Sequence, residues 1–396
     1  MVEPNASRPD VKELLNRARA IAELVRARAQ QTEVDRRISP EVIEAMRKAE
    51  LFKILQPKVY GGFEYGFDVF VKIIAAIARG CGSSSWVYGL LASHQWITAC
   101  FPKQAQDDFW SDRNALAAGS YAPIGQVMAV EGGYRLTGKW GFASGCDNAQ
   151  WLYLGGTIPD AAGPRPGLFL VPSADCTIDD NWRTMGLAGT GSMNIVVNNA
   201  FVPAHRFVPY VELAEGIAPG TRVNTNPLYR QSFFASLPVT IVAPVLGMAE
   251  GALEYFLAMI RERVTRGAAV GGQRAMADFT TIQMRIAEAS ASIDAARLIT
   301  LRDLDEMLAT VSRGESPSKD LRLRNRRDHS FCVRLLVQAV DAVFLAAGGQ
   351  GLFLDLPLQR IWRDAHAASS HISLNWDAVS TMYGQHLVGL EPKGQY

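Results

Sequence analysis

Two of the six histidines in this 396-residue chain stand where neighbouring residue types give an imidazole work to do. The stretch RDAHAASSHISLNWD, residues 363–377, sets His366 and His371 beside an Arg-Asp pair. Read as a helix, it places His371 on one face with Asp364, Ala367, Ala368 and Asn375 and turns His366 elsewhere. Imidazole titrates near neutrality, so an inward histidine is either a hydrogen-bonded core residue or a group that holds or moves a proton. The stretch SSSWVYGLLASHQW, residues 83–96, poses the same choice. Its serines suit a helix cap, and Trp86, Leu90 and His94 follow at i, i+4 and i+8, so an indole and an imidazole share a stripe.

Two further stretches carry small polar residues where a planar ligand could approach the backbone. LTGKWGFASGCDNAQWL, residues 136–152, reads as a strand, a bend and a strand, with Ser144-Gly145 at the bend. WRTMGLAGTGSMNIVVNNAFVP, residues 182–203, holds Thr190 and Ser192 in a glycine-rich run. That run lacks G-x-G-x-x-G spacing and leads into a strand, which excludes a dinucleotide-binding turn. Cys81, Cys100, Cys146, Cys176 and Cys332 are odd in number and never form a C-x-x-C pair, so neither a disulfide framework nor a metal site is expected. His205, His329, His366 and His386 read as structural. Trp86, Tyr88, Trp96, Phe233 and Phe234 are able to line an aromatic pocket or simply fill a core, and Arg230 is a candidate for a substrate carboxylate.

Composition narrows the partners. Hydrophobic residues make up 48% of the chain and charged residues 20%, with a formal net charge of +1, which describes a soluble globule without the basic excess that nucleic acid or anionic membranes demand. The N-terminus mixes both charge signs without a signal-like apolar core, and no run of eighteen apolar residues occurs, so the expectation is a protein of a reducing cytoplasm.

These residues need a scaffold larger than one core. Residues 1–114 show helical periodicity, as in VKELLNRARAIAELV and PEVIEAMRKAELFKIL. Residues 115–215 turn to short alternating or β-branched runs, predicting a central antiparallel β domain. Residues 216–396 return to helical spacing in four stretches, roughly 231–265, 274–312, 319–347 and 357–388, separated by TRGAAVGGQ, SRGESPS and AAGGQGLFLDLP, which predicts a four-helix bundle.

Helices, a β domain and a four-helix bundle in that order resemble the acyl-CoA dehydrogenase fold over nearly the whole chain. The wording of the stretches above is similar to one branch, the oxygenase components of two-component flavin-dependent monooxygenases, such as p-hydroxyphenylacetate 3-hydroxylase, secosteroid hydroxylase and dibenzothiophene monooxygenase. The resemblance implies a mainly α protein with a β domain that receives FMNH2 or FADH2 from a separate NAD(P)H:flavin reductase. It would form a C4a-hydroperoxide with O2 and hydroxylate an aromatic or indole-like small molecule. Trp86 and His94 then flank the substrate, with Arg230 and Phe233 as further substrate contacts. Ser144 lies near flavin N5, where one hydrogen bond would govern how long the hydroperoxide survives. Gly119, Ser120, Gly145, Thr190 and Ser192 match flavin-contacting positions. Gly348 and Gly349 match a turn that meets a neighbouring subunit's flavin, and Arg263 a basic position near its phosphate, which together imply a homotetramer, a dimer of dimers. Where the dehydrogenases carry a catalytic Glu-Gly-Thr, this chain has Ser370-His371-Ile372-Ser373. Desaturation loses its proton acceptor there, unless Glu250 or Glu254 supplies a relocated base, and His371 becomes the candidate for handling the peroxide's proton. N- or S-oxygenation on the same scaffold, and a flavin-less helical interaction protein, are the other readings.

Overall fold

The computed structural model describes residues 8–160, 162–265 and 274–396. Five helices come first: α1 (Val11–Asp35), α2 (Pro40–Lys48), α3 (Phe67–Ala78), α4 (Gly82–Cys100) and α5 (Lys103–Phe109). Local chemistry starts the first two. The Asp10 carboxylate accepts from Glu13 N at 2.7 Å to cap α1, and Ser39 caps α2 with Pro40 in its first turn. By contrast, α4 has no side-chain cap and is buried on all sides except at Leu90, so packing rather than end chemistry holds it.

The sheet has strands β1 (Ala117–Val130), β2 (Gly133–Ala143), β3 (Trp151–Ile158), β4 (Arg165–Pro172), β5 (Cys176–Asp179), β6 (Met193–Pro203) and β7 (Phe207–Pro209), in the order β5-β6-β2-β1-β3-β4-β7. The expected antiparallel sheet is corrected to a mixed one. β1 and β3 run parallel, Ala117 opposite Trp151 and Ser120 opposite Leu154, while the other pairs are antiparallel. The reason is that β2 pairs on the far side of β1, so the chain must cross over through residues 144–150 before β3 can join the other edge.

After α6 (Tyr210–Glu215) and the single turn α7 (Phe233–Ser236) come α8 (Val239–Glu262), α9 (Thr280–Ser312), α10 (Lys319–Ala347), α11 (Pro357–Ser369) and α12 (Trp376–Leu387). Most of the TRGAAVGGQ linker and the expected start of the second stretch near residue 274 lie outside or at the edge of the described residues. The last predicted stretch is not one helix. It stops at Ser369 and resumes at Trp376, because Ser370, His371 and Asn375 offer side-chain partners to the backbone that compete with a continuous helix. Two segments, Phe233–Glu262 and Lys319–Leu352, are long and apolar enough to cross a membrane by length and composition. The apolar window of the first is 94% buried inside the protein, as a core helix would be.

Two large cores result. One runs from Leu14 through the sheet to Phe233 and joins the N-terminal helices to β1–β7. The other fills the bundle and takes in Trp86 from α4. That helix therefore lies on the seam between the two cores.

Candidate active site

Four groups of residues named from the sequence meet along α4. At its start, Gly189 packs on Ser83, where a Cβ would lie 3.1 Å from the serine Cβ. One turn on, Gly145 adopts φ +69°, and a Cβ there would lie 2.7 Å from Val87 Cγ1, so only glycine lets the bend settle on Val87 and Leu91. The Trp86 ring stands edge-on to His371 with centroids 6.0 Å apart. At the far end His94 reaches the sheet.

The bend and the glycine-rich run form one hydroxyl chain. Ser144 Oγ and Ser192 Oγ are 2.7 Å apart, Ser192 Oγ and Thr190 Oγ1 2.7 Å, and Thr190 Oγ1 donates to the Leu187 carbonyl at 2.8 Å. Gly145 N donates to Thr190 O at 2.9 Å. Each hydroxyl has one proton, and the carbonyl can only accept. Thr190 spends its proton on Leu187, so Ser192 must donate to Thr190 and Ser144 to Ser192. The Ser144 oxygen is left with lone pairs and no proton to give. Phe142, two residues earlier, was not singled out in the sequence. It is non-glycine at φ +64°, 73% exposed as a residue, and its ring stands edge-on to Trp182 at 6.0 Å. A strained, exposed aromatic is a signal for a binding face, and the sequence carries it only as an ordinary strand residue.

His94 is buried, and both ring nitrogens are engaged. Nδ1 donates to the Ala117 carbonyl, which fixes Nε2 as the acceptor from the Tyr121 hydroxyl at 2.6 Å. Burial pushes this imidazole down to about 4, so it is neutral. Sequence reasoning missed Tyr121, although it sits in the AAGSYAP stretch one residue after Ser120. Its ring stands edge-on to Phe233 at 5.4 Å, and Phe233 stacks against Trp96 at 6.3 Å. Gly119 lies opposite Tyr153 in β1, where a Cβ would lie 2.9 Å from Tyr153 O. Tyr88 points away from this wall, donating to Leu51 O and packing on Phe52 and Phe70.

His371 sits in the break between α11 and α12 instead of on a helix face. It is half-buried, and Nδ1 accepts from Ser373 N at 3.1 Å, which puts the proton of the neutral ring on Nε2. Burial, then the Arg326 charge, push it down to about 4. The neighbouring Arg-Asp pair is a clamp. Asp364 accepts from Leu187 N at 2.6 Å, and Arg363 donates to the Met185 carbonyl, so α11 grips the run that leads to Thr190.

The remaining candidates lie elsewhere. Arg230 donates to Gly314 O at 3.3 Å, in the α9–α10 connection. Arg263 donates to Ala347 O at 2.7 Å, which brings it to the exposed Gly348-Gly349 turn but not to Ser144. Glu250 is held by Arg79 at 2.8 Å and Arg297 at 2.6 Å, and Glu254 by Arg79 at 3.1 Å, so both carboxylates are tied up as ion pairs in a groove between α1, α3, α8 and α9. His205, His366 and His386 pair with Asp108, Asp341 and Asp320. His329 is buried with neither nitrogen partnered among the described residues.

This arrangement can be set beside known proteins. Residues 8–110 match the family described as acyl-CoA dehydrogenase, N-terminal domain, and residues 239–376 match acyl-CoA dehydrogenase, C-terminal domain. The chain is 43% identical to the oxygenase component of an FADH2-dependent resorcinol hydroxylase from a Rhizobium species, over 100% of this chain and 98% of that protein. It is 32% identical to the oxygenase component of p-hydroxyphenylacetate 3-hydroxylase from Acinetobacter baumannii, over 99% and 93%. The crystal structure of a 3-HSA hydroxylase from Rhodococcus sp. RHA1 superposes with a TM-score of 0.92 at 36% identity, covering 98% of this chain and 100% of that one.

Proposed function

The chain belongs to the flavin-dependent oxygenase components built on the acyl-CoA dehydrogenase fold, and from that premise we propose that it hydroxylates a phenolic or indole-like aromatic molecule with reduced flavin and O2. The observation that carries the reading is the order of groups along α4: His371 against Trp86, the Ser144-Gly145 bend against Val87 and Leu91, and Tyr121 on His94, each met by a side chain of the one helix.

The site fits a flavin on its own terms. A glycine-only bend, three linked hydroxyls and an exposed Phe142 make a face for a planar heterocycle with hydrogen-bonding edges. Ser144, Gly145, Thr190 and Ser192 would hold its ring, with Gly119 and Ser120 on the adjoining strand. When bound, reduced flavin supplies the two electrons by which one oxygen atom enters the substrate and the other leaves as water. Ser144 contributes an acceptor, because its own proton is committed to Ser192. An acceptor suits the N–H that a reduced ring carries at N5, and opposes the bare nitrogen of an oxidised ring.

Tyr121 and His94 hold the phenol. With its proton on His94, the Tyr121 oxygen is open to accept from a substrate hydroxyl, and the buried pair fixes that acceptor in place. Phe233 supplies the apolar wall. His371 presents Nε2–H beside Trp86 and donates where negative charge grows on oxygen, a role of the oxyanion-stabilising kind.

The flavin comes from a separate NAD(P)H:flavin reductase, as the naming of relatives as oxygenase components supports. Exposed Leu345, Leu352, Phe353 and Leu354 beside Gly348-Gly349 support assembly with further copies of the chain into a homotetramer. Five free cysteines, four of them buried, agree with a cytoplasmic location. Anaerobic titration with dithionite-reduced FMN and FAD, followed by O2 in the presence of resorcinol, p-hydroxyphenylacetate, indole or a thioether, tests the reading. Hydroxylated product that requires reduced flavin supports it. Direct NADH oxidation by the purified chain, or dye reduction with an acyl-CoA, would overturn it.

A further inference from the structure

The turn that carries His371 is pinned from α10 on two sides. Arg326 Nη1 donates to Ser373 O at 3.2 Å, and Ser330 Oγ donates to Leu374 O at 2.7 Å. The same Ser373 whose carbonyl takes Arg326 gives its N–H to His371 Nδ1. Arg326 itself is unusual. It is 7% exposed, no carboxylate lies within ion-pair reach among the described residues, and its Nε has no partner there. A guanidinium cannot shed its proton, so this is a buried positive charge without a counter-charge, which folding alone does not favour.

The other charged groups around the turn are committed elsewhere. On α10, Asp328 pairs with Arg302 and Arg327, and His329 is neutral, pushed down to about 3 by burial and Arg326. On α11, Asp364 faces Leu187, Arg363 faces Glu33, and His366 faces Asp341. On α12 the nearest acid, Asp377, is exposed. From α4 the neighbour is the uncharged Trp86. Arg334 of α10 lies over the Trp376 ring, Arg360 of α11 lies near Asp364, and Asp303 of α9 pairs with Arg302, so Arg326 is the charge that lowers His371 after burial and that bonds into its turn.

We propose that Arg326 is a positioning residue for the oxygenation: through Ser373 it fixes His371 in the Nε2–H form, and its uncompensated charge adds to the burial that holds that ring as a neutral hydrogen-bond donor. The inference rests on the role given to His371 above, yet it concerns the state of the ring, which is measurable without flavin or substrate. Burial is the larger cause of the lowered titration and is common to all the variants, so the Arg326 charge is the contribution that a substitution isolates.

The test compares the parent with Arg326→Met and Arg326→Lys, using 13C- and 15N-labelled histidine, with His371→Gln to assign the signal. In the parent, His371 shows the Nε2–H tautomer and stays neutral to about pH 5. In Arg326→Met its titration moves up by roughly one pH unit, the low side of a neighbouring charge effect, and the Nδ1–H tautomer becomes populated. Arg326→Lys keeps the charge and restores the titration. Arg326→Met also melts no lower than the parent, since it removes an unpaired buried charge, whereas a merely structural arginine would lower the melting temperature when replaced. An Nδ1–H tautomer in the parent, or an unchanged His371 titration in Arg326→Met, overturns the inference. If Arg326→Met does not fold, a parent ring that protonates at its ordinary value near pH 6.5 overturns it equally. Reduced-flavin binding, measured separately on the parent, shows whether the functional reading itself holds.

Discussion

His94 and His371 are both held neutral, but by opposite kinds of surroundings. His94 lies in the middle of a buried helix with a carbonyl on one nitrogen and a phenol on the other, so its ring has no free valence and acts through Tyr121. His371 lies in a helix break, half-buried, with one nitrogen tied to its own turn and the other without a hydrogen-bond partner among the described residues. At His94, packing around a continuous helix makes a rigid, satisfied histidine. A helix break leaves an open valence at a defined angle. The first suits holding a substrate through an intermediary, the second direct hydrogen bonding to reacting atoms.

The largest expected effect concerns stability on the His94 side. Its ring is pushed down to about 4 in the fold, against about 6.5 in an unfolded chain, so the unfolded state takes up the proton first as pH falls. The contribution is complete above about pH 6.5 and is lost between there and about pH 4, on the order of 3 kcal/mol in all. Chemical denaturation of the parent from pH 8 to 4.5 should show an acid limb to which His94, His371 and His329 all contribute, and His94→Gln should make it shallower by the share of one imidazole. An acid limb of equal slope in both proteins would mean that His94 is less constrained than its two hydrogen bonds imply.

Next comes the open histidine. His371→Ala should fold and bind reduced flavin, while oxygen transfer falls at least about tenfold, the lower end of what a placed proton-handling group contributes. Rapid-mixing measurement of product formed per flavin consumed reads this directly. A parent-like yield and rate would make His371 as inert as a core residue and erase the contrast.

Tyr121→Phe sharpens the other half. It leaves His94 Nε2 without its donor, and phenol affinity should weaken roughly fivefold, as losing a hydrogen bond of about 1 kcal/mol predicts. The rate at saturating substrate should change less. If instead the rate falls and affinity holds, Tyr121 is acting on the chemistry and the two histidine regions are not divided as described.

The smallest effect lies in the hydroxyl chain between them. Thr190→Val removes the group that commits Ser192, and through it Ser144, to donating inward. Ser144 is then free to donate, and affinity for oxidised flavin should rise about two- to fivefold relative to reduced flavin, an effect of about 0.5–1 kcal/mol. Ser144→Ala should uncouple turnover by a similar factor, with more hydrogen peroxide released per flavin. An unchanged oxidised-to-reduced affinity ratio in Thr190→Val would remove the direction assigned to the chain.

Sequence by itself determined the helical, β and helical order, because periodicities of 3.6 and 2 are written in the side chains and need no tertiary knowledge. It also determined that Ser144-Gly145 and Thr190–Ser192 are bends rich in small polar residues, and that Trp86 and His94 share one helix. The tertiary structure decided what no spacing states. The parallel β1–β3 pair follows from which edge of β1 was already occupied. The helix break at His371 follows from local capping that outcompetes the helix, where periodicity alone extends it. Tyr121 and Phe142 became visible only when the fold set one against His94 and left the other exposed at positive φ, since in the sequence each is one aromatic residue in a strand. Arg230 bonds to the α9–α10 connection and Arg263 to the end of α10, because long side chains take the nearest carbonyl the packing offers, and that partner is hundreds of atoms away along the chain. The buried charge of Arg326 is the clearest case. In the sequence it is one arginine among many in a basic helical stretch, and only packing shows that no acid among the described residues answers it.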